Sequence, residues 1–323
     1  MEQAQRLAVV AIGRNEGERL RACLASALAQ GAHAVVYVDS GSTDGSVAMA
    51  RAKGCEVVEL DLDTPFTAAR ARNAGLAAAR ARLADLAYVQ FVDGDCEIQP
   101  GWLEAARAFL QTHPQVAVVC GRRRERYPQR SVYNRLCDLE WDTPVGEAKA
   151  CGGDALMRAD ALTQAGGYRD DLIAGEEPEL CVRLRATGWK IWRLDAEMTW
   201  HDAAILRFGQ WWRRAQRAGH AFAEGASLHG APPERHWVSE TRRALVWGLI
   251  LPIGLALASV VVHPAWAIGF LIYPVQAWRL ARRSVDSAQG PFLVLSKFAE
   301  AAGAMQFYAR RALGRRGGLI EYK

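Results

Sequence analysis

Short apolar runs, each followed by a helical stretch, constrain this 323-residue chain more than any other feature. Leu7–Ile12 (LAVVAI) precedes EGERLRACLASALAQ, and Ala34–Asp39 (AVVYVD) precedes DGSVAMARAKG. CEVVEL then precedes FTAARARNAGLAAARAR, LAYVQFV precedes PGWLEAARAFLQTH, and Val116–Gly121 (VAVVCG) follows. Strands alternating with helices predict an α/β fold with a mostly parallel sheet and helices on both faces. Such sheets bind ligands beyond the carboxyl ends of their strands. Gly13–Glu16, Asp39–Asp44 and Asp93–Asp95 all fall at such ends.

Past Asp202 the chain changes character. Residues 203–323 hold 16 Lys/Arg against 6 Asp/Glu, while the first 202 hold 24 against 29. A basic rear half suits nucleic acid or an anionic membrane surface. FGQWWRRAQRAGHAFAEGASLHG is a basic, aromatic-rich helical stretch. Its Trp211 and Trp212, with Arg213, Arg214 and Arg217, suit an interfacial helix, a lid over a nucleotide, or simple helix packing. Ala244–Val262 carries no charge over 19 residues, and His263–Trp278 continues uncharged. About 20 apolar residues span a bilayer as a helix. The run of 35 reads as a tight hairpin broken at His263–Pro264, a re-entrant pair, one span, or a buried helix pair of a soluble domain. Arg242 and Arg243 before it, and Arg279, Arg282 and Arg283 after it, favour a hairpin with both ends cytoplasmic. Arg310, Arg311, Arg315 and Arg316 in the tail suit anionic headgroups. The N-terminal apolar patch is too short for a signal peptide. Seven scattered cysteines without a C-x-x-C pair signal neither a disulfide framework nor a zinc site, and so a reducing compartment.

Asp93 and Asp95, in FVDGDCEI, pose the chemical question. Two carboxylates this close repel and lose hydration unless a cation joins them. A divalent cation carrying phosphate oxygens is an economical partner. D-x-D alone is also common as a solvated turn.

The ordered set VAIGRNEGERL, VDSGSTDGS, ARARNAGLAAA, FVDGDCEI, CGGDALMRADAL, AGEEPELCVRLRATGWKI and TWHD resembles family 2 glycosyltransferases. The resemblance covers about Leu7 to Asp202, and the helical stretch after it looks like the continuation in membrane-associated bacterial members. It implies a GT-A, Rossmann-like domain over residues 1–202. A basic interfacial helical segment over 203–240 and hydrophobic membrane-associated helices with a basic tail over 241–323 would follow. The implied activity is inverting transfer from a nucleotide-sugar, a UDP-sugar, with Mn²⁺ or Mg²⁺. By the same resemblance Asp39 binds the nucleobase and Glu16 lies near the nucleoside. Ser40 stands where a second aspartate is usual, and Arg14 where an aromatic is. Arg72 and Asn73 lie beside the nucleotide, and a guanidinium there suits phosphate. Asp93 and Asp95 hold the metal and ribose-diphosphate, joined at the metal by His201. Gly152 and Gly153 let backbone approach the sugar or acceptor, and Asp154 bonds a sugar hydroxyl or caps a turn. Glu176 and Glu177 match the acidic pair whose second member is the catalytic base, although a register with Glu176 as base is open. Glu177 stands where Asp is usual.

A nucleotidyltransferase on a similar sheet is the alternative, but AIGRNEGERL lacks that class's glycine-rich phosphate loop. A non-catalytic basic membrane- or RNA-binding protein explains the arginines but not seven ordered motifs. The expected partners are a nucleotide-sugar donor, a lipid-linked or glycan acceptor and anionic membrane lipids, with no nucleic acid. The expected location is the cytoplasmic membrane, with the catalytic domain facing the cytoplasm.

Overall fold

The computed structural model describes residues 6–314. Met1–Gln5 and the tail arginines Arg315 and Arg316 lie outside the described residues. The chain divides into two compact units, Met1–Arg130 with Cys137–Ala204, and Ser131–Leu136 with Ile205–Lys323.

The first unit opens with β1 (Arg6–Gly13), α1 (Glu18–Ala29), β2 (Ala34–Asp39), α2 (Ser46–Ala52), β3 (Glu56–Glu59), α3 (Ala68–Arg82) and β4 (Leu86–Asp93). It continues through β5 (Cys96–Ile98), α4 (Trp102–Thr112), β6 (Val116–Glu125) and α5 (Val132–Glu140), whose first turns fall in the second unit. Then come β7 (Gly146–Ala148), β8 (Ala155–Arg158), α6 (Ala159–Gln164), α7 (Glu176–Ala186) and β9 (Lys190–His201). The sheet order is β3-β2-β1-β4-β8-β6-β9-β5, with β7 on β9. Pairing is parallel from β3 to β4 and between β6 and β9, and antiparallel elsewhere. The sheet is therefore mixed. Uniform parallel pairing stops where the regular alternation of runs and helices stops in the sequence.

Val9, Val10, Val36, Val38, Val89 and Val92 are completely buried. The runs Leu7–Ile12 and Val35–Asp39 show no polar alternation because both faces of these strands are covered. Helix α3 lies so close to the sheet that a Cβ at Gly75 would sit 2.2 Å from Val10 Cγ1 and 2.9 Å from Val38 Cγ2. Register fixes the site: Gly13 pairs with Asp39, and Ile12 with Asp93, so two motif strands end level with β1. Cys96 pairs with His201, which carries the residue after Asp95 to the end of β9.

The second unit contains α8 (Phe208–His229), α9 (Val238–Val261), a 3₁₀ turn (Pro264–Leu271), α10 (Ile272–Ala281) and α11 (Gln289–Ala312). Helices α8 and α11 cross at two glycines. A Cβ at Gly219 would meet Glu300 O at 2.0 Å, and one at Gly303 would meet Gln216 O at 1.9 Å. Trp211 is buried here against Phe292 and Tyr133. Among the described residues α9 is the one helix long and apolar enough to cross a membrane, and very little of it is buried. It ends ahead of His263–Pro264, where His263 Nδ1 accepts from Ala265 N. The chain then turns back: Gly269 packs against Leu255, and Tyr273 Oη donates to Trp247 O at 2.8 Å. Leu257, Val260, Val261 and Trp266 face outward from this hairpin.

Candidate active site

The cation beside Asp93 is an arginine. Arg72, on α3, donates from Nη2 to Asp93 Oδ1 at 2.8 Å and from Nη1 to Glu176 Oε1 at 2.8 Å, and lies 2.9 Å from Glu177 Oε1. Its side chain is 2 % exposed. Burial works against its charge, but Glu177, Asp93 and Glu176 outweigh it and hold the guanidinium firmly protonated. Tyr168 offers a ring face 5.7 Å away. Glu176 and Glu177 open α7 directly after Gly175, whose φ of 82° favours glycine. Burial pushes the Glu177 carboxyl up to about 7, against the pull of Arg72 and with Glu176 and Asp93 adding to the rise. A carboxylate poised there suits general-base work near neutrality.

Gly153 completes this cluster. A Cβ on it would lie 2.7 Å from Arg72 Nη2, 2.8 Å from Asp93 Oδ2 and 3.1 Å from Glu177 Oε1. Gly152 has more room, with Arg123 Nη2 3.8 Å from its Cβ position. Asp154 is fully buried: Oδ1 accepts from Asp93 N, and Oδ2 from Thr199 Oγ1 at 2.7 Å, with Arg123 Nη2 at 2.9 Å. It ties the ends of β4, β6 and β9 together.

Asp95 sits in a different setting. His201 Nε2 is 3.2 Å from its Oδ2, and Trp141 stacks on the imidazole with centroids 4.7 Å apart. Burial, with help from Arg123, lowers His201 to about 4, so the ring is neutral at pH 7. Ligand atoms of Asp95, Cys96 and His201 lie within 4.8 Å of one another, and those of Asp93, Cys96 and Asp154 form a separate group. The two aspartates of the motif thus fall into two groups. Burial keeps the Cys96 thiol protonated, which leaves the Asp95 carboxylate and the His201 imidazole as the donors of the first group. His201 Nδ1 is buried without a hydrogen-bond partner among the described residues. One carboxylate oxygen and one neutral imidazole fit Mn²⁺ well and Mg²⁺ acceptably.

The remaining expected residues surround these two groups. Glu16 pairs with Arg19 at 2.7 Å and approaches Gly94, where a Cβ would meet Glu16 Cγ at 3.4 Å and Ile12 O at 3.1 Å. Asp39 is 2 % exposed and accepts from Tyr37 Oη, Gly41 N and Ser42 N. Asn73 is spent on the chain: its amide brackets Tyr168 N and O and reaches Asp170. Asn15 links the first two strand-end loops, accepting from Thr43 N at 2.7 Å.

Sequence reasoning missed Arg123, Trp141, Thr199 and Tyr168. Arg123 lies in the run GRRRERYPQR, where register shifts around Arg122 turn Arg122 into a buried position and Arg123 into a half-buried one. Strand alternation alone would have sent one of them to solvent. A cavity of about 550 Å³ near Gln30, Glu97, Glu104, Arg126 and Trp200 contains none of the expected site residues. The β5–β9 pairing puts Glu97 and Trp200 on the face opposite Cys96 and His201.

The mixed α/β sheet, with Asp93, Asp95 and His201 at strand ends beside Arg72 and Glu177 from two helices, is a GT-A-like fold. The comparisons agree. Residues 9–157 match Glycosyl transferase family 2. The chain is 26 % identical over 277 residues to the succinoglycan biosynthesis protein ExoA of Rhizobium meliloti, covering 73 % of this chain and 84 % of that protein. The mannosyltransferase PcManGT of Pyrobaculum calidifontis, solved with GDP-Man and Mn²⁺, superposes with a TM-score of 0.66 at 21 % identity, over 93 % of this chain and 87 % of that one. Glucosyl-3-phosphoglycerate synthase of Mycobacterium tuberculosis, solved with Mn²⁺, UDP and glucosyl-3-phosphoglycerate, gives 0.51 at 19 % identity, over 71 % and 81 %. With residues 9–157 fitting the family 2 model, and with these relatives, the chain is a glycosyltransferase enzyme.

Proposed function

We propose that the protein is an inverting, divalent-metal-dependent glycosyltransferase. It moves a sugar from a nucleotide-sugar, a UDP-sugar by the Asp39 match, to a lipid-linked or polysaccharide-precursor acceptor at the cytoplasmic membrane face. The observation that carries this is the adjacency of Glu177, raised to about 7, to Arg72 and Asp93 at the mouth of the strands. Glu177 takes the proton from the acceptor hydroxyl as that oxygen attacks C1 of the sugar. The C1–O bond to the nucleoside diphosphate breaks on the opposite face, which inverts the anomeric centre. Arg72 holds Glu177 and Asp93 in place while Glu176 takes its other nitrogen. Asp95 and His201 are the residues that would hold Mn²⁺ or Mg²⁺, and the ion supplies charge stabilisation to the departing diphosphate. Gly152 and Gly153 leave room for the sugar or acceptor, and Asp154 positions Asp93 through its backbone.

Relatives support each part to a different depth. ExoA's name places it in succinoglycan biosynthesis, and PcManGT holds a nucleotide-sugar with Mn²⁺. The outward apolar hairpin with Arg242, Arg243, Arg279, Arg282 and Arg283 at its base supports membrane attachment, with anionic lipids as partners. The proposed division is a catalytic domain over residues 1–202, an interfacial segment over 203–240 and the membrane-associated remainder. The testing experiment incubates the detergent-solubilised full chain with UDP- and GDP-sugars, with Mn²⁺ or with excess chelator. Release of nucleoside diphosphate that needs the metal supports the reading. Release of pyrophosphate, or turnover unchanged in chelator, contradicts it.

A further inference from the structure

Two thiols sit directly behind the catalytic cluster. Cys151 immediately precedes Gly152 and Gly153, and Cys181 lies one helical turn after Glu177 on α7. Their Sγ atoms are 3.7 Å apart, both residues are buried, and both are reduced. The contact spans 30 residues of sequence and joins the two segments that supply the glycine loop and the base. Nothing in the transfer reaction uses either sulfur.

We propose that Cys151 and Cys181 form a reversible disulfide under hydroperoxide, and that this bond shuts off the transferase. The bond itself is independent of the reaction assigned above, whereas its effect on turnover rests on that reading. A disulfide needs about 2.05 Å between sulfurs, so the two Sγ atoms close by roughly 1.7 Å and pull on the segments that carry them. The loop is packed tightly on the site it would pull: a Cβ at Gly153 would lie under 3 Å from Arg72 Nη2 and Asp93 Oδ2 and 3.1 Å from Glu177 Oε1. Displacement of about 1 Å at reacting groups costs on the order of 10²-fold in rate. The hydrogen bond between the two thiols lowers Cys181 and raises Cys151, so Cys181 is the sulfur that ionises first. In the first step the Cys181 thiolate attacks the hydroperoxide, the O–O bond breaks, and the released hydroxide takes a proton as water. The Cys181 sulfenic acid is then attacked by Cys151 sulfur, the S–O bond breaks, and the second oxygen leaves as water with the Cys151 proton. Two thiols are oxidised and one hydrogen peroxide is reduced to two waters. Burial selects for an oxidant of this size over a bulky disulfide such as oxidised glutathione.

The experiment treats the detergent-solubilised full chain with hydrogen peroxide, blocks free thiols, and maps peptides without reduction. Donor turnover is followed in parallel. The expected result is a Cys151–Cys181 linked peptide, turnover lower by about 10²-fold, and recovery of both on adding dithiothreitol. Cys151→Ser and Cys181→Ala, tested separately, should be active and lose the dithiothreitol-reversible inhibition. Peptide maps with both cysteines still free after peroxide overturn the bond, whatever the activity. A linked peptide with undiminished turnover overturns the switch and leaves the transferase reading intact.

Discussion

Asp93 and Asp95 are two residues apart, yet the fold gives them opposite companions. Asp93 faces the guanidinium of Arg72 at 2.8 Å, with Arg123 at 3.7 Å. Asp95 faces an imidazole that burial keeps neutral. The reason is local: β4 ends at Asp93, and the chain turns at Gly94 into β5, so successive carboxylates look toward different walls. One is neutralised by the protein and is coupled through Arg72 to Glu177. The other is left in a donor set suited to a divalent ion. The difference is the ground for the proposal that the first side positions the base and the second holds the metal.

The largest effect should come from the first side. Glu177→Gln should lower transfer by about 10²–10⁴-fold with donor affinity preserved, because the amide keeps shape and hydrogen bonding but takes no proton. Glu176→Gln is the control in the same assay, and a dead Glu176→Gln beside a normal Glu177→Gln would reverse their roles. Removing the cation tests the coupling. Arg72→Met should destabilise the first unit by about 3–5 kcal/mol, since it removes the guanidinium that Glu176 and Glu177 share and leaves Asp93 the more distant Arg123. Chemical denaturation reads this directly, and an unchanged midpoint would mean the cluster is not a unit.

The two sides were not equally legible in the sequence. The parallel strand ends, the glycines around Asp93 and the Glu176–Glu177 pair followed from alternation and ordered motifs. Arg123 did not, because a register shift inside β6 breaks the period-two rule that would have placed it. Nor did the engagement of Asn73 and Asp154 with the protein itself. Hydrogen bonds between residues 61 and 95 positions apart, such as Asp154 with Asp93 and Asn73 with Tyr168, leave no local pattern to read. The break at His263–Pro264 was readable because proline and the end of an apolar run coincide there.

Smaller effects sharpen the contrast. Gly153→Ala should cost about 1–3 kcal/mol and slow transfer, since its Cβ lands on Arg72 and Asp93 together. Gly152→Ala, with Arg123 at 3.8 Å, should be milder in both assays. The pH profile should be smaller still. With Glu177 near 7, transfer should fall roughly tenfold per unit as pH drops below that value and level off above it. The sign for stability is the reverse. The fold binds this proton more tightly than the unfolded chain, so Glu177's contribution is full below about 4.5 and is lost as pH rises through about 7. Glu177→Gln should flatten both curves.

The division between the two aspartates is tested most directly by Mn²⁺ titration, followed by the electron paramagnetic resonance of the free ion, on the wild type, Asp93→Asn and Asp95→Asn with nucleoside diphosphate present. The wild type should bind one ion, Asp95→Asn should lose it, and Asp93→Asn should retain it while losing transfer. Equal loss of Mn²⁺ in both variants, or retention in Asp95→Asn, would contradict that division.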